Sequence, residues 1–303
     1  MLDCVGSLAL QIPADIEVIV VDAGNKHTVN EQLLAEKRTG TRIIRSERKN
    51  VPYQRNLGVE NAAGDIVVFL DDDCIVQPGW WPAIVEPFRD NSVAGVAGGI
   101  WCSLTPQLTD DKGGYVNIFG VPVQVTSRGA GALRNVDWAV GANMAFRKSI
   151  LQNLGGFAEI YGIYDEDIDM CLRMRRAGHS IVFVPEAVVY HYFAKLPRKP
   201  PTKQSEFHAG RNRSMLLVRN YGFSTKLLLF LVTAPFVHFG KATIATCRNT
   251  VTNFGHVAAY IAGMIKGVVV GIRKPVARAR AGGRKGTADG RGEREKGTAD
   301  GRR

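Results

Sequence analysis

Three consecutive aspartates, Asp71, Asp72 and Asp73, follow directly on the apolar run 66–70. Like charges this close repel one another unless something positive sits among them. A divalent cation meets that need, and hard oxygen donors suit Mg2+ or Mn2+. Because alternate residues can face the same way, Asp71 and Asp73 can divide two tasks, one holding a ribose hydroxyl and the other the metal. A solvated acidic loop is the plainer reading of the same triplet.

A second acidic group lies at 165–169, where Asp165, Glu166, Asp167 and Asp169 open a segment that reads as a helix. Acids near a helix N-terminus are stabilising on their own account, by about 0.3–1 kcal/mol each. Set beside the first cluster, they suggest more. Glycosyl transfer to a hydroxyl needs a carboxylate base for the acceptor proton and a cation for the departing diphosphate. His191 ends another apolar run and, as neutral imidazole, can complete a metal site or touch a phosphate. Arg55 lies on the helix before the aspartate-bearing strand, within reach of a phosphate, although a plain surface arginine would look the same.

The elements that must position these groups follow from apolar patterning. Runs 16–21, 66–70 and 93–100 read as buried strands, with 41–45 a shorter one. Between them, 52–63 reads as a helix with Pro52 in its first turn and Gly64 after its end, and 79–89 reads as another. Alternation of this kind predicts an α/β fold with a doubly wound, mostly parallel sheet flanked by helices. Ligands in such sheets sit at the carboxyl ends of the strands, where Asp22 and the 71–73 triplet fall. Segment 101–135 is Gly-rich and reads as loops. Beyond it come a strand at 143–147, helices at 148–154 and 166–177, strands at 180–184 and 187–192, and a basic, proline-rich loop at 195–203.

Helical patterning resumes near residue 205. The apolar stretches 227–240 and 257–272 are interrupted by Pro235 and Lys266 and fall short of the roughly 18 uninterrupted apolar residues of a spanning helix. They read as helices lying in a membrane interface or as a buried helical cap. The chain of 303 residues carries a net charge of +11, and 273–303 holds eleven Lys/Arg against four Asp/Glu. The basic excess therefore belongs to a tail, suited to an anionic membrane surface; no nucleic-acid partner is expected. The heptapeptide at 285–291 repeats at 296–302, and so Gly-rich and charged a sequence buries no core. Five cysteines, none in C-x-x-C spacing, fit neither a disulfide framework nor a zinc site. With no signal peptide in view, a cytoplasmic protein is expected, peripheral on the cytoplasmic face of the membrane.

Taken together, segments 17–22, 55–58, 63–73, 141–147, 155–157, 166–173 and 176–178 resemble, in order, the motifs of family 2 glycosyltransferases with the GT-A fold. The resemblance covers residues 1 to about 192. It implies a nucleotide-sugar site formed by Asp22, Arg55, Asp71, Asp72, Asp73, Gly141, Asn143 and Glu166, with Asp22 at the nucleotide base. It also implies Asp167 as catalytic base, Asp73 and His191 at the metal, and the region of Trp138 and 141–143 as the wall between donor sugar and acceptor. The implied reaction is inverting transfer of one sugar from a nucleotide-diphosphate sugar to a glycan or lipid-linked acceptor in cell-envelope synthesis.

Three departures qualify the resemblance. The strand that usually opens the family is missing ahead of residues 1–8, so a start further upstream is expected. Ala23 follows Asp22 where many members carry a second acid, which weakens the case for a uracil nucleotide. No Q-x-x-R-W sequence marks a processive synthase. The expected organisation is a glycosyltransferase domain at 1–222, an apolar helical and membrane-associated region at 223–273, and a basic tail at 274–303. Two other functions remain open on these residues: a non-catalytic nucleotide-sugar-binding remnant, and a phosphohydrolase with an aspartate nucleophile.

Overall fold

The computed structural model describes residues 1–24, 40–102, 109–110, 113–125, 134–192, 202–245 and 250–274. The basic loop at 195–201 and the repeats of the tail lie outside these residues. The amino-terminal helix α1 (Leu2–Gln11) leads into β1 (Ile19–Asp22), which pairs in parallel with β2 (Arg42–Arg45) as a separate two-stranded sheet. Helix α2 (Val51–Asn61) starts where the sequence predicts. The Asn50 side chain caps it by accepting a 3.0 Å bond from the Tyr53 amide, and Pro52 occupies its first turn.

Next come β3 (Ile66–Leu70), β4 (Cys74–Val76), α3 (Trp80–Val85) and β5 (Val93–Cys102). The predicted helix at 79–89 changes to a 3-10 turn over Glu86–Arg89, because Pro87 has no N–H to continue an α-helix. Segment 101–135 departs from the expected loops. Its described parts hold β6 (Thr109–Asp110), β7 (Gly113–Val116), β8 (Pro122–Gln124) and β9 (Arg134–Asn135), and β7 and β8 join β10 (Trp138–Ala139) in a small antiparallel sheet. Glycine here marks close packing: a Cβ at Gly114 would collide with the Val123 carbonyl.

The chain continues through β11 (Asn143–Arg147), α4 (Lys148–Asn153), α5 (Glu166–Arg176) and β12 (Ser180–His191). The two strands predicted at 180–192 form one, with a register shift between Val184 and Val188 where Pro185 interrupts the pairing. Three helices close the described chain: α6 (Lys203–Tyr221), α7 (Thr225–Ala245) and α8 (Thr250–Arg273).

The main sheet runs β3-β11-β5-β12-β4, with β6 and β9 at its margins. β5 and β12 are parallel, and β11 runs antiparallel to both β3 and β5. Thus β3, β5 and β12 share one direction, and the sheet is mixed. That direction puts the ends of β3 and β12 at one edge, and the register of Asn143 opposite Leu70 brings the start of β11 there too.

Alternation along the strands separates two cores. Phe69, Ala97, Met144, Phe146 and Phe183 face α5 and α6, whereas Val96, Ala145, Val182 and Val184 face α1 and α3. The carboxyl edge of the sheet is held rigidly between these layers.

Candidate active site

Asp71 and Asp73 sit in the turn after β3, which closes through a 3.1 Å bond from the Cys74 amide to the Asp71 carbonyl. His191, at the end of β12, faces both acids. Its Nε2 lies 3.0 Å from Asp73 Oδ1 and 3.8 Å from Asp71 Oδ2. The hydrogen bond from His191 lowers the Asp73 carboxyl below its usual range. Burial instead raises Asp71, and Arg55 and His191 oppose that rise. Two carboxylates and an imidazole converging at one strand edge form a donor set that fits Mg2+ or Mn2+. Cys74 Sγ also lies close to Asp73 and His191. It is fully buried, donates to the Ala142 carbonyl at 3.5 Å, and burial drives its thiol strongly upward. A thiol held protonated is a poor ligand, so the oxygen and imidazole donors are the better set.

Arg55 connects this triad to the second acidic cluster. From α2 its Nη1 donates to Glu166 Oε1 at 2.6 Å, and its Nη2 lies 3.9 Å from Asp71 Oδ1. Gly141 makes the approach possible, because a Cβ there would overlap the guanidinium. Glu166 is buried, and its Oε2 has no partner among the described residues. Burial and the neighbouring Asp167 push its carboxyl up to about 7, against the pull of Arg55.

Asp167 is held differently. Its Oδ2 accepts from the Gly141 amide at 2.9 Å and its Oδ1 from the Ile168 amide at 2.8 Å. Burial raises its carboxyl, opposed by Arg55 and by these two amides. No cationic side chain forms an ion pair with it among the described residues. The other acids of the cluster are taken. Asp165 receives Arg213 at 2.5 and 3.1 Å. The fully buried Asp169 accepts from Arg173, Tyr161 and Asn220 at 2.8–3.0 Å.

The turn that presents Asp167 is strained. Tyr164 and Asp165 both have φ near +70°, at 69° and 68°, which is costly for residues other than glycine. Asn212 of α6 holds it, donating to the carbonyls of Tyr161, Ile163 and Tyr164 at 2.7–3.1 Å. The Asp169–Arg173 spacing of four was a visible signal. Nothing local in the sequence pointed to Asn212 or Arg213.

The sequence-predicted residues Arg55, Asp71, Asp73, Gly141, Glu166, Asp167 and His191 are thus one connected group. Asp22 lies on the separate β1–β2 sheet, where Arg45 and the Gly24 amide bind its carboxylate. Asp72 is exposed and lines a cavity of about 260 Å3 beside Asp73, together with Met1, Asp3 and Tyr192. A larger cavity, about 750 Å3 between Glu86, Asp90, Asn135 and Glu186, contains none of the predicted site residues.

Asn143 lies inside the sheet. It is fully buried, accepts from Trp80 Nε1 at 3.0 Å, and donates to the Gly99 and Ala187 carbonyls at 2.9 and 2.7 Å. With both ends of its amide satisfied inside the sheet, it braces the strand edge. Trp138 is likewise a core residue, and its indole N–H has no partner among the described residues.

Comparison with known proteins places this geometry. Residues 1–212 match the family model "Glycosyltransferase like family 2". The pre-mycofactocin glycosyltransferase of Mycobacterium tuberculosis is 26% identical over 258 residues, covering 83% of this chain and 51% of that protein. The glucosyl-dolichyl phosphate glucuronosyltransferase of Haloferax volcanii is 24% identical over 157 residues, 48% of each chain. The chain thus spans about half the length of these relatives. Among solved structures, GalNAc-T7 with UDP, GalNAc and Mn2+ aligns with a TM-score of 0.58 at 16% identity, covering 89% of this chain and 54% of that one. The mannosyltransferase PcManGT of Pyrobaculum calidifontis, in complex with GDP-Man and Mn2+, aligns at 0.53 and 16%, covering 84% and 79%. With its GT-A fold and a family match over more than two thirds of its length, the chain belongs to the family 2 glycosyltransferases.

Proposed function

We propose that this domain transfers a single sugar, with inversion, from a nucleoside-diphosphate donor to an acceptor hydroxyl, and that Asp167 is the base. The observation that carries this reading is the contrast within 165–169. Asp165, Glu166 and Asp169 each face an arginine, whereas Asp167 is held by two backbone amides. A carboxylate oriented by amides and raised by burial is suited to accept a proton. In the reaction the acceptor oxygen loses its proton to Asp167 and bonds to the anomeric carbon as the bond to the diphosphate breaks. Asp73 and His191, with Asp71 beside them, would hold Mg2+ or Mn2+. The cation, when bound, supplies Lewis-acid stabilisation of leaving-group charge. The two solved neighbours with Mn2+ and nucleotide ligands support this choice.

The acceptor we favour is a cell-envelope glycan or lipid-linked sugar reached at a membrane surface. The dolichyl-phosphate chemistry in one relative's name supports a lipid-linked acceptor. The test is Asp167→Asn, read by release of nucleoside diphosphate across a panel of donors with Mg2+ or Mn2+. Turnover should fall by about 10²–10⁴-fold while donor binding persists. Full activity in that variant would refute the assignment.

A further inference from the structure

The carboxy-terminal helices are fastened to the catalytic domain by backbone contact. α8 lies along α6 with glycine at the crossing points: a Cβ at Gly263 would strike the Phe207 carbonyl, one at Gly267 the Arg211 carbonyl, and one at Gly210 the Tyr260 carbonyl. Met264 of α8 and Leu227 and Phe230 of α7 are buried in the same core as α5. α8 contains 19 residues, Gly255–Arg273, that are long and apolar enough to cross a membrane. Crossing would require leaving α6, whose Glu206, Arg211, Arg213 and Arg219 belong to the folded domain. Close packing of this kind keeps α8 beside the enzyme.

What α8 and α7 turn outward is apolar. Ile265 and Ile272 of α8 are exposed, as are Leu228 and Val232 of α7. Phe223, between α6 and α7, is 80% exposed. The surface continues onto the β7–β8 hairpin, where Ile118 is exposed. The hairpin is tied to α7 by a 2.7 Å bond from Lys226 Nζ to the Val116 carbonyl, and Gly120 packs on Leu217. Large apolar side chains exposed together on neighbouring elements mark an interaction site. Its charge indicates the partner. No acidic residue occurs between Glu206 and Asp289, and Lys266, Arg273 and Lys274 are exposed at the margins of the apolar stripe. An apolar face whose two helices carry no acid, and whose exposed charges at 266, 273 and 274 are positive, fits a bilayer carrying anionic headgroups.

We infer that the outward face of α7 and α8, with Phe223 and the β7–β8 hairpin, docks the enzyme flat on an anionic lipid surface. α8 then lies in the plane of the interface, held from behind by α6. Because α6 also supplies Asn212 and Arg213 to the turn before Asp167, the docked face and the base share one rigid helix. The inference deepens the proposed function by naming where the acceptor is met, and its deciding readout is vesicle binding.

The experiment is flotation of the full chain with vesicles of phosphatidylcholine alone or with one third phosphatidylglycerol, at low and high salt. Wild type should bind the anionic vesicles and keep a salt-resistant fraction. Phe223→Glu/Leu228→Glu/Ile265→Glu should lower that fraction by about tenfold or more, with unchanged melting temperature and unchanged nucleoside diphosphate release without vesicles. Failure of wild type to float with anionic vesicles would overturn the inference. So would equal salt-resistant binding by the triple variant, which would show that these three apolar side chains do not make the attachment. A wild-type dimer that the triple variant dissolves, without vesicle binding, would show instead that a second copy covers the face. None of these results alters the outcome expected for Asp167→Asn, so the two readings fail separately.

Discussion

Arg55 donates to Glu166 at 2.6 Å and approaches Asp71 to 3.9 Å, so one guanidinium links the acids after β3 to the helix that carries Asp167. Both partners of the shorter contact are largely shielded from water, with side-chain exposures of 12% and 6%. Removing one partner of a buried pair strands the other's charge. Arg55→Met should therefore lower unfolding free energy by about 3–5 kcal/mol at pH 8. The loss should be smaller at pH 5, where Glu166 can take up a proton. Denaturant unfolding at the two pH values checks this, and an equal loss at both would contradict the pairing.

Gly141→Ala tests the same junction from the other side. The added methyl group occupies the space of the Arg55 guanidinium. Donor turnover should fall by about tenfold or more, because misplacement by about 1 Å is enough to disrupt reacting geometry. Restoring turnover by pairing it with a shorter side chain at position 55 is not expected, since Glu166 would then be unpaired.

Glu166 should also set a pH dependence of stability. Its folded carboxyl lies near 7, against 4.5 for an ordinary glutamate. Between those values the folded state binds more protons than the unfolded one. The contribution is complete below about 4.5 and is lost as pH rises through about 7. Melting temperatures of wild type and Glu166→Gln, followed from pH 4.5 to 8, should diverge in that window, with wild type losing stability relative to the variant. Parallel curves would show that Glu166 does not titrate there.

The turn before Asp167 should be sensitive to Asn212. Asn212→Ala leaves three carbonyls near a strained backbone without their donor. A loss of about 1–3 kcal/mol is expected from the unsatisfied buried groups. Turnover should fall further than donor affinity, because the turn positions Asp167 and not the nucleotide. A variant that loses donor affinity alone would contradict this role.

Cation binding should follow the oxygen and imidazole donors and not the thiol. Mn2+ at about one hundred times its dissociation constant should stabilise the folded state by about 2.7 kcal/mol. That gain should vanish in Asp73→Asn and His191→Ala and survive in Cys74→Ser, whose hydroxyl can still donate to the Ala142 carbonyl. Thermal shift with and without chelator checks the series; loss of the response in Cys74→Ser would make the thiol a ligand.

Sequence alone determined the elements whose periodicity is strong and local. The run 66–70 emerged as β3 with its aspartates at the carboxyl end, and the acid-opened helix emerged as Glu166–Arg176, because the strand preference of a β-branched, apolar run and the attraction of acids to a helix start depend on neighbours in the chain. The Gly-rich segment 101–135 was illegible for the opposite reason: its small strands are stabilised by pairing and close packing with distant residues. The bonds of Asn143 to Trp80, Gly99 and Ala187 were not legible either, because an amide in sequence carries no sign of which partners it will meet. Four carboxylates within five positions are chemically alike until folding brings Arg55, Arg213 and Arg173 against three of them. Only the Asp169–Arg173 pair is local; the rest belongs to the tertiary structure, since arginines more than forty positions away reach Glu166 and Asp165 while Asp167 is held by two backbone amides.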